Sequence, residues 1–157
     1  MTARRKRQGK NVLLMRAQLA DPFGRSSGTV YRTVAVLDNF TLYEVAETIV
    51  GSFGFDCDHS FGFYDNLENW TKSTEGYELF TDMGQGSGFK GVSTVEVGTV
   101  FSEVGKKMLF LFDYGDEWCF VLELVGTAQV QDKKKYPFVV ESKGKAPEQY
   151  GAMEDDE

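Results

Sequence analysis

Cysteine, histidine and proline are scarce in this sequence, with 2, 1 and 3 residues respectively among 157. Two cysteines, Cys57 and Cys119, are too few for a disulfide framework, and they form no C-x-x-C pair of the kind that binds zinc or carries out redox chemistry. Long hydrophobic runs are also missing: the longest, around residues 108 to 112, falls far below the about 18 residues that span a bilayer. These absences predict a cytoplasmic protein with no membrane partner.

The net charge of -7 hides an uneven distribution along the chain. Residues 1–28 hold seven basic side chains and one acidic side chain, a formal charge of +6, whereas residues 29–157 hold ten basic and 23 acidic side chains, a charge of -13. We therefore predict three parts: a basic, disordered arm over residues 1–28, one folded domain over residues 29–151, and an acidic tail over residues 152–157. A short helix over residues 11–19 is the alternative for part of the arm.

Two capping boxes predict helices. Thr41 and Glu44 have the spacing in which each side chain bonds the other residue's backbone amide, and apolar residues recur at helical spacing after them for about eleven residues. Ser93 and Glu96 repeat the pattern ahead of a shorter apolar stripe that contains Val97. The sequence thus predicts one main amphipathic helix and one short helix.

Alternating and continuous apolar segments predict strands. They cover residues 30–36, 59–64, 108–112, 118–125 and 138–141, and a short candidate covers residues 77–81. The segment 108–112 is apolar on both faces, as in a strand covered on each side. With helices and strands in this order, the predicted fold is α+β, a mixed, largely antiparallel sheet carrying the two helices, without the regular alternation of a doubly wound sheet.

Three segments in a fixed order resemble the plasmid pRiA4b ORF-3-like family, some of whose members carry plasmid or transposon-resolvase labels. They are MLFLFDYGDEW at 108–118, FGFDCDHSFGF at 53–63, and YP at 136–137 followed by GKAPEQYG at 144–151. The resemblance covers about residues 30–151 and implies the α+β fold, but it implies no mechanism.

The chain departs from the family pattern at four positions. Phe61 and Phe120 stand where family members often have histidines, and Ala146 and Gln149 replace a proline and an aspartate of the ending. An activity that depends on those histidines is therefore not carried over. Recombinase chemistry is excluded separately, because the chain from residue 29 onward has one arginine, Arg32, and one histidine, His59, too few for a cluster that stabilises a pentavalent phosphate.

The candidate binding surface combines two acidic segments, with residues Asp56, Asp58, His59, Asp113, Gly115, Asp116 and Trp118. Oxygen ligands with one imidazole suit a hard divalent ion, but no spacing here matches a recognised metal loop. The competing interpretation is structural, with Asp58 and His59 bonding at a strand start and Asp113 and Asp116 stabilising the hairpin turn.

The sequence favours a non-enzymatic binding or accessory domain, and it does not identify the ligand. We assign no catalytic residue and expect no metal and no cofactor. One alternative is a small metal-dependent or acid-base enzyme that uses residues 56–59 and 113–118. The other is a nucleic-acid-associated protein that makes weak, salt-sensitive contacts through residues 1–28. Oligomeric state stays open at this level.

Overall fold

The computed structural model describes residues 9–26, 28–86 and 88–150. The described elements are β1 (Asn11–Ala20), β2 (Tyr31–Leu37), α1 (Leu42–Ser52), β3 (Phe61–Tyr64), a 3-10 turn (Trp70–Lys72), β4 (Gly76–Glu78), α2 (Leu79–Asp82), α3 (Val97–Val100), β5 (Lys107–Phe112), β6 (Trp118–Gln129) and β7 (Phe138–Lys143). The strands form one sheet in the order β4-β3-β5-β6-β1-β2-β7, and every neighbouring pair is antiparallel. The predicted α+β fold is confirmed.

Helix α1 begins as the sequence predicts. The backbone amide of Glu44 donates to the Thr41 hydroxyl at 3.1 Å, and the Thr41 amide donates to the Glu44 carboxylate at 2.9 Å. The apolar face of the helix is buried against the sheet, with Leu42, Val45, Ala46, Ile49 and Val50 in the main core. The capping box satisfies two otherwise unpaired donors and fixes where this layer starts.

The prediction of a disordered arm is wrong for residues 11–20, which form the interior strand β1 between β2 and β6. Met15 and Ala17 face the core and are buried, whereas Arg16 points to the other side of the sheet. There the Arg16 guanidinium lies 4.5 Å from the centre of the Tyr31 ring and 3.4 Å from Glu141. The basic residue is therefore compatible with a strand, because stacking and an opposite charge accompany it. The cluster of basic residues at 4–7 and the tail at 152–157 lie outside the described residues.

The second predicted capping box is also wrong. Helix α3 begins at Val97, three positions after the predicted start, and its N-cap Glu96 makes no side-chain capping bond. The preceding backbone pairs with the start of α1 instead, since Leu42 donates to the Val95 carbonyl at 2.9 Å and Tyr43 to the Val92 carbonyl at 3.2 Å. Those long-range bonds hold the segment extended up to Glu96.

The sheet has unequal faces. The larger core lies on the α1 side and includes Phe110 and Phe120. A smaller cluster on the opposite side consists of Tyr64, Leu109, Leu111 and Cys119, covered in part by Leu67, Trp70, Phe89 and Tyr114. Strand β5 is therefore buried on both faces, as its continuous apolar sequence predicts.

Candidate functional site

The pairing of β3 with β5 brings the two acidic segments of the sequence together. Phe61 lies opposite Phe112, and one step beyond them the Asp113 amide donates to the Ser60 carbonyl at 2.8 Å. Antiparallel register thus places the residues just before β3 beside the residue just after β5. The convergence of His59 with Asp113 follows from this register.

His59, the one histidine of the chain, lies between two carboxylates. Its Nε2 atom is 3.5 Å from Asp113 Oδ2 and 3.6 Å from Asp58 Oδ1. The Asp113 side chain is 10% exposed, whereas those of His59 and Asp58 are 42% and 44% exposed. The site therefore combines a fixed, buried acid with an imidazole and an acid that solvent can reach.

The turn from Asp113 to Glu117 holds the buried acid in place. Asp113 and Glu117 have positive φ angles of 69° and 54°, in the left-handed region that aspartate tolerates better than most residues. Asp113 Oδ1 accepts from the amides of Gly115 at 3.1 Å and Asp116 at 3.3 Å. One oxygen of Asp113 therefore stabilises the turn while the other faces His59, and Gly115 and Asp116 contribute backbone amides to this arrangement.

Tyr114 anchors the same turn from the opposite face of the sheet. Its hydroxyl lies 2.7 Å from that of Tyr64, which in turn donates to the buried Glu78 carboxylate at 2.5 Å. Burial raises the pKa of the Tyr64 hydroxyl, and its bond to Glu78 adds to the effect. A side chain at Gly62 would meet both hydroxyls within 2.7 Å, so glycine makes room for the pair.

The third part of the site is the segment Gln149–Tyr150, which sequence reasoning missed. We call these two residues the strap. Gln149 Nε2 donates to the Asp56 carbonyl at 3.1 Å and to Asp58 Oδ1 at 3.2 Å, while its Oε1 accepts from the Asp56 amide at 2.8 Å. The Tyr150 hydroxyl donates to Asp58 Oδ2. The departure of Gln149 from the family pattern was the available signal, because an amide can bond a neighbouring carboxylate that an aspartate would repel.

Hydrogen bonding in the strap shifts two ionisation equilibria in opposite directions. The Tyr150 bond is the main cause that lowers the pKa of Asp58, with smaller contributions from His59 and Gln149. The same bond raises the pKa of the Tyr150 hydroxyl to about 12. Asp58 is therefore ionised and Tyr150 is protonated at neutral pH.

Two predicted surface residues have mainly structural contacts. Trp118 is partly buried and packs edge-on against Phe55 at 5.0 Å between ring centres, and its indole nitrogen is buried with no hydrogen-bond partner among the described residues. Asp56 meets the strap through its backbone amide and carbonyl. The side chains that converge are therefore those of Asp58, His59 and Asp113, and we call these three residues the carboxylate-imidazole site.

An open depression of about 330 Å³ adjoins His59. Its lining residues are Tyr43, Cys57, Asp58, His59, Ser60, Phe61, Leu79 and Met83. Cys57 is exposed, but desolvation by its neighbours, together with the charges of Glu47 and Asp58, raises the pKa of its thiol to about 11. Burial raises the pKa of Cys119 to about 12. Neither thiol is a ready nucleophile at neutral pH.

Within the described ranges, no cluster of three or more His, Cys, Asp or Glu side chains has an arrangement suited to a metal ion, and no helix is long and apolar enough to cross a membrane. What the site offers is one imidazole, two carboxylates and a half-apolar depression.

Comparison with known proteins gives a family and a fold. The family model described as plasmid pRiA4b ORF-3-like protein matches residues 18–154, so the match begins inside β1. The chain is also similar to a crystal structure of a protein of unknown function, MM3350, from Methanosarcina mazei Go1. The TM-score is 0.70 at 15% identity, over 88% of this chain and 72% of that one. No curated protein matches the chain.

Proposed function

The chain belongs to the plasmid pRiA4b ORF-3-like family, and from that premise we propose that it is a non-enzymatic binding domain whose ligand docks at the carboxylate-imidazole site. The observation that carries the proposal is the meeting of the neighbouring residues Asp58 and His59 with Asp113, which comes from a separate segment 54 positions after His59. A solvent-reachable imidazole beside a buried carboxylate is a cluster that folding alone does not require.

The geometry favours binding over catalysis. The two contacts of His59 Nε2, at 3.5 and 3.6 Å, are longer than the roughly 2.7–3.2 Å of an aligned N–H···O hydrogen bond. Both carboxylates also accept other hydrogen bonds. Asp113 Oδ1 accepts from a turn amide, and Asp58 accepts from both strap residues. The imidazole therefore lacks the aligned carboxylate hydrogen bond that orients a catalytic histidine.

The single histidine provides a direct test by proton nuclear magnetic resonance. Methylammonium, guanidinium, acetate, phosphate and magnesium would each be titrated into the full chain while the His59 ring signals are followed. We expect a saturable shift from one charge class, and we expect Asp113→Asn to weaken it. Exposed Val140→Ser on β7 serves as the control that leaves the shift unchanged. If none of the five probes gives saturation, the proposal is wrong.

The second candidate is acid-base catalysis by His59. The contact that favours it is Asp113 Oδ2, which faces the imidazole while two backbone amides hold the other oxygen. An enzyme of this type would hydrolyse an activated ester such as p-nitrophenyl acetate faster than an equal concentration of free imidazole, and His59→Gln would remove the excess rate. The binding proposal expects no excess.

A metal-dependent version of this candidate has its own measurement. Elemental analysis of the purified chain would show a stoichiometric metal that is lost in His59→Gln, whereas the binding proposal expects no such stoichiometry.

We also retain weak nucleic-acid contact through the basic N-terminal residues as a proposal. Of the three described cations in this part of the chain, Arg16 contacts Glu141 and Arg25 contacts Asp21, while Lys10 is exposed. Besides Lys10, the contact would depend on the four clustered cations Arg4, Arg5, Lys6 and Arg7. Replacing these four with glutamine is expected to weaken binding to duplex DNA or RNA at low salt, with little difference at moderate salt. Equal binding by both chains at low salt contradicts the proposal.

A further inference from the structure

The depression beside His59 has two chemically different walls. Its apolar wall consists of Phe61, which is fully buried, Leu79, which packs against the core, and Met83, which is 57% exposed. Its polar wall consists of Asp58 and His59. A ligand that fills such a space places an apolar segment along one side and a polar group on the other.

Negative charge dominates the polar wall. Asp58 lines the depression, and none of the lining residues is a lysine or an arginine. An acid outside the lining adds to this charge: besides desolvation, Glu47 helps to raise the pKa of both Tyr43 and Cys57. A cationic group is therefore attracted to this wall, and an anionic group is repelled.

Acceptors remain available for a donor-rich cation. A carboxylate has about four lone-pair sites, and the strap uses one on each oxygen of Asp58. Ser60, also in the lining, has a hydroxyl oxygen that is buried and has no hydrogen-bond partner within the described part of the chain. An ammonium group carries three donors, which is enough for the Asp58 carboxylate and the Ser60 oxygen.

We infer that the ligand of this site is an aliphatic ammonium, with its head group at Asp58 and Ser60 and its stem along Leu79 and Met83. The inference rests on the proposed binding function and names its ligand class. The volume of about 330 Å³ is at the small end of ligand pockets, which suits a stem of several methylene groups. The same chemistry occurs in free alkylamines and in the lysine side chain of a partner.

The test compares three probes on the full chain in an amine-free buffer, with the His59 ring signals as the readout. Hexylammonium is expected to bind about tenfold more tightly than methylammonium, because part of its stem leaves water against the apolar wall. Hexanol is expected to cause no saturable shift. Equal affinities of the two amines, or saturation by hexanol, would overturn the inference.

Matched variants locate the two halves of the ligand. Met83→Ser should remove most of the hexylammonium advantage and leave methylammonium affinity unchanged, whereas the control Val140→Ser should change neither. Ser60→Ala should weaken both amines. An unchanged hexylammonium advantage in Met83→Ser would overturn the assignment of the stem to this wall.

Two further measurements distinguish a free amine from a lysine side chain, and failure of the ammonium inference from failure of the binding proposal. N-acetyl-lysine amide, but not N-acetyl-norleucine amide, should shift the His59 signals if a lysine side chain fits as well as a free amine; binding of hexylammonium alone assigns the site to free amines. Saturation by acetate or phosphate instead would overturn the ammonium inference and leave the binding function standing. If no probe gives a saturable shift of the His59 signals, both the ammonium inference and the binding function are wrong.

Discussion

At the scale of single residues, Asp113 has three roles that follow from its position. Its backbone adopts a left-handed conformation, one carboxylate oxygen accepts two turn amides, and the other faces His59. An asparagine can adopt the same backbone conformation and keep the acceptor, whereas an alanine can do neither well. The residue type is thus set by the turn and by the site together.

Substitution of Asp113 tests this combination. Asp113→Ala should lower the free energy of unfolding by about 1–3 kcal/mol, because two amides lose their acceptor and no side-chain hydrogen bond then offsets the cost of the left-handed backbone conformation. Asp113→Asn should cost clearly less. Urea unfolding at neutral pH measures both, and equal losses in the two variants would show that the turn bonds contribute little.

Residue patterns also mark the limit of sequence reasoning at this scale. The sequence selected Asp58, His59 and Asp113, whose side chains converge, together with Asp56 and Asp116, which make their described hydrogen bonds through their own backbone groups, and Trp118, which packs against the core. Acidic side chains in turns look alike in sequence whether they face a partner or solvent. Only the register of β3 with β5 separates them.

At the scale of elements, the two similar capping patterns have different outcomes. Thr41 and Glu44 form the complete box at the start of α1, whereas Ser93 is exposed and the helix after it begins at Val97. Both places have a hydroxyl residue followed three positions later by glutamate. The second pattern fails because residues 92–96 bond to the start of α1.

Alanine substitutions at the two hydroxyl residues compare these patterns directly. Thr41→Ala should reduce the free energy of unfolding by about 1 kcal/mol, as expected when an N-cap oxygen is lost. Ser93→Ala should change it by less than about 0.5 kcal/mol, in the range of an ordinary surface substitution. Thermal or urea unfolding gives both values, and a comparable loss at Ser93 would contradict the structural assignment.

Strand β1 is the element that sequence reasoning misassigned. Basic neighbours and a turn-rich ending concealed the alternation of Leu13, Met15 and Ala17 on the buried face. Pairing with both β2 and β6 places these residues in the middle of the sheet. A strand of this kind is stabilised by its neighbours more than by its own sequence.

Two methionines provide a matched test of β1. Met15 is fully buried and Met83 is 57% exposed, so the same change to alanine samples an interior and a surface site. Met15→Ala should cost about 2–5 kcal/mol of unfolding free energy through lost burial and a residual cavity. Met83→Ala should stay within about 0.5 kcal/mol. A small effect at Met15 would contradict the placement of residues 11–20 inside the sheet.

At the scale of the whole molecule, the strap connects the part of the chain that follows β7 to the segment ahead of β3. Tyr150 and Gln149 both bond Asp58, across 92 and 91 positions of the chain. The strap bonds depend on an ionised Asp58, whose folded-state pKa lies below the ordinary 3.8. Its contribution to stability is therefore fully present above about pH 4 and is lost as the pH falls through the folded-state pKa.

This linkage predicts a pH-dependent effect of one hydroxyl. Tyr150→Phe should destabilise the protein at pH 6, and the difference from the unsubstituted chain should shrink as the pH falls below 3.8 and through the lowered folded-state pKa of Asp58. Because the pKa of Tyr150 is raised to about 12, its own ionisation does not enter this range. Urea unfolding over the pH series measures the difference, and Asp58→Asn is the background in which it should become small at every pH. A difference that stays the same over the whole acidic pH series would rule out Asp58 as the titrating partner.

The sequence by itself determined α1, the β5–β6 hairpin and the family, because capping spacing, strand alternation and the motif at 108–118 are local patterns. The tertiary structure alone decided that residues 11–20 lie inside the sheet, that His59 meets Asp113, and that the strap reaches Asp58. These three outcomes depend on strand register and on contacts between residues far apart in the chain. Such contacts form only when distant segments bury their apolar faces together, so no window of sequence contains them.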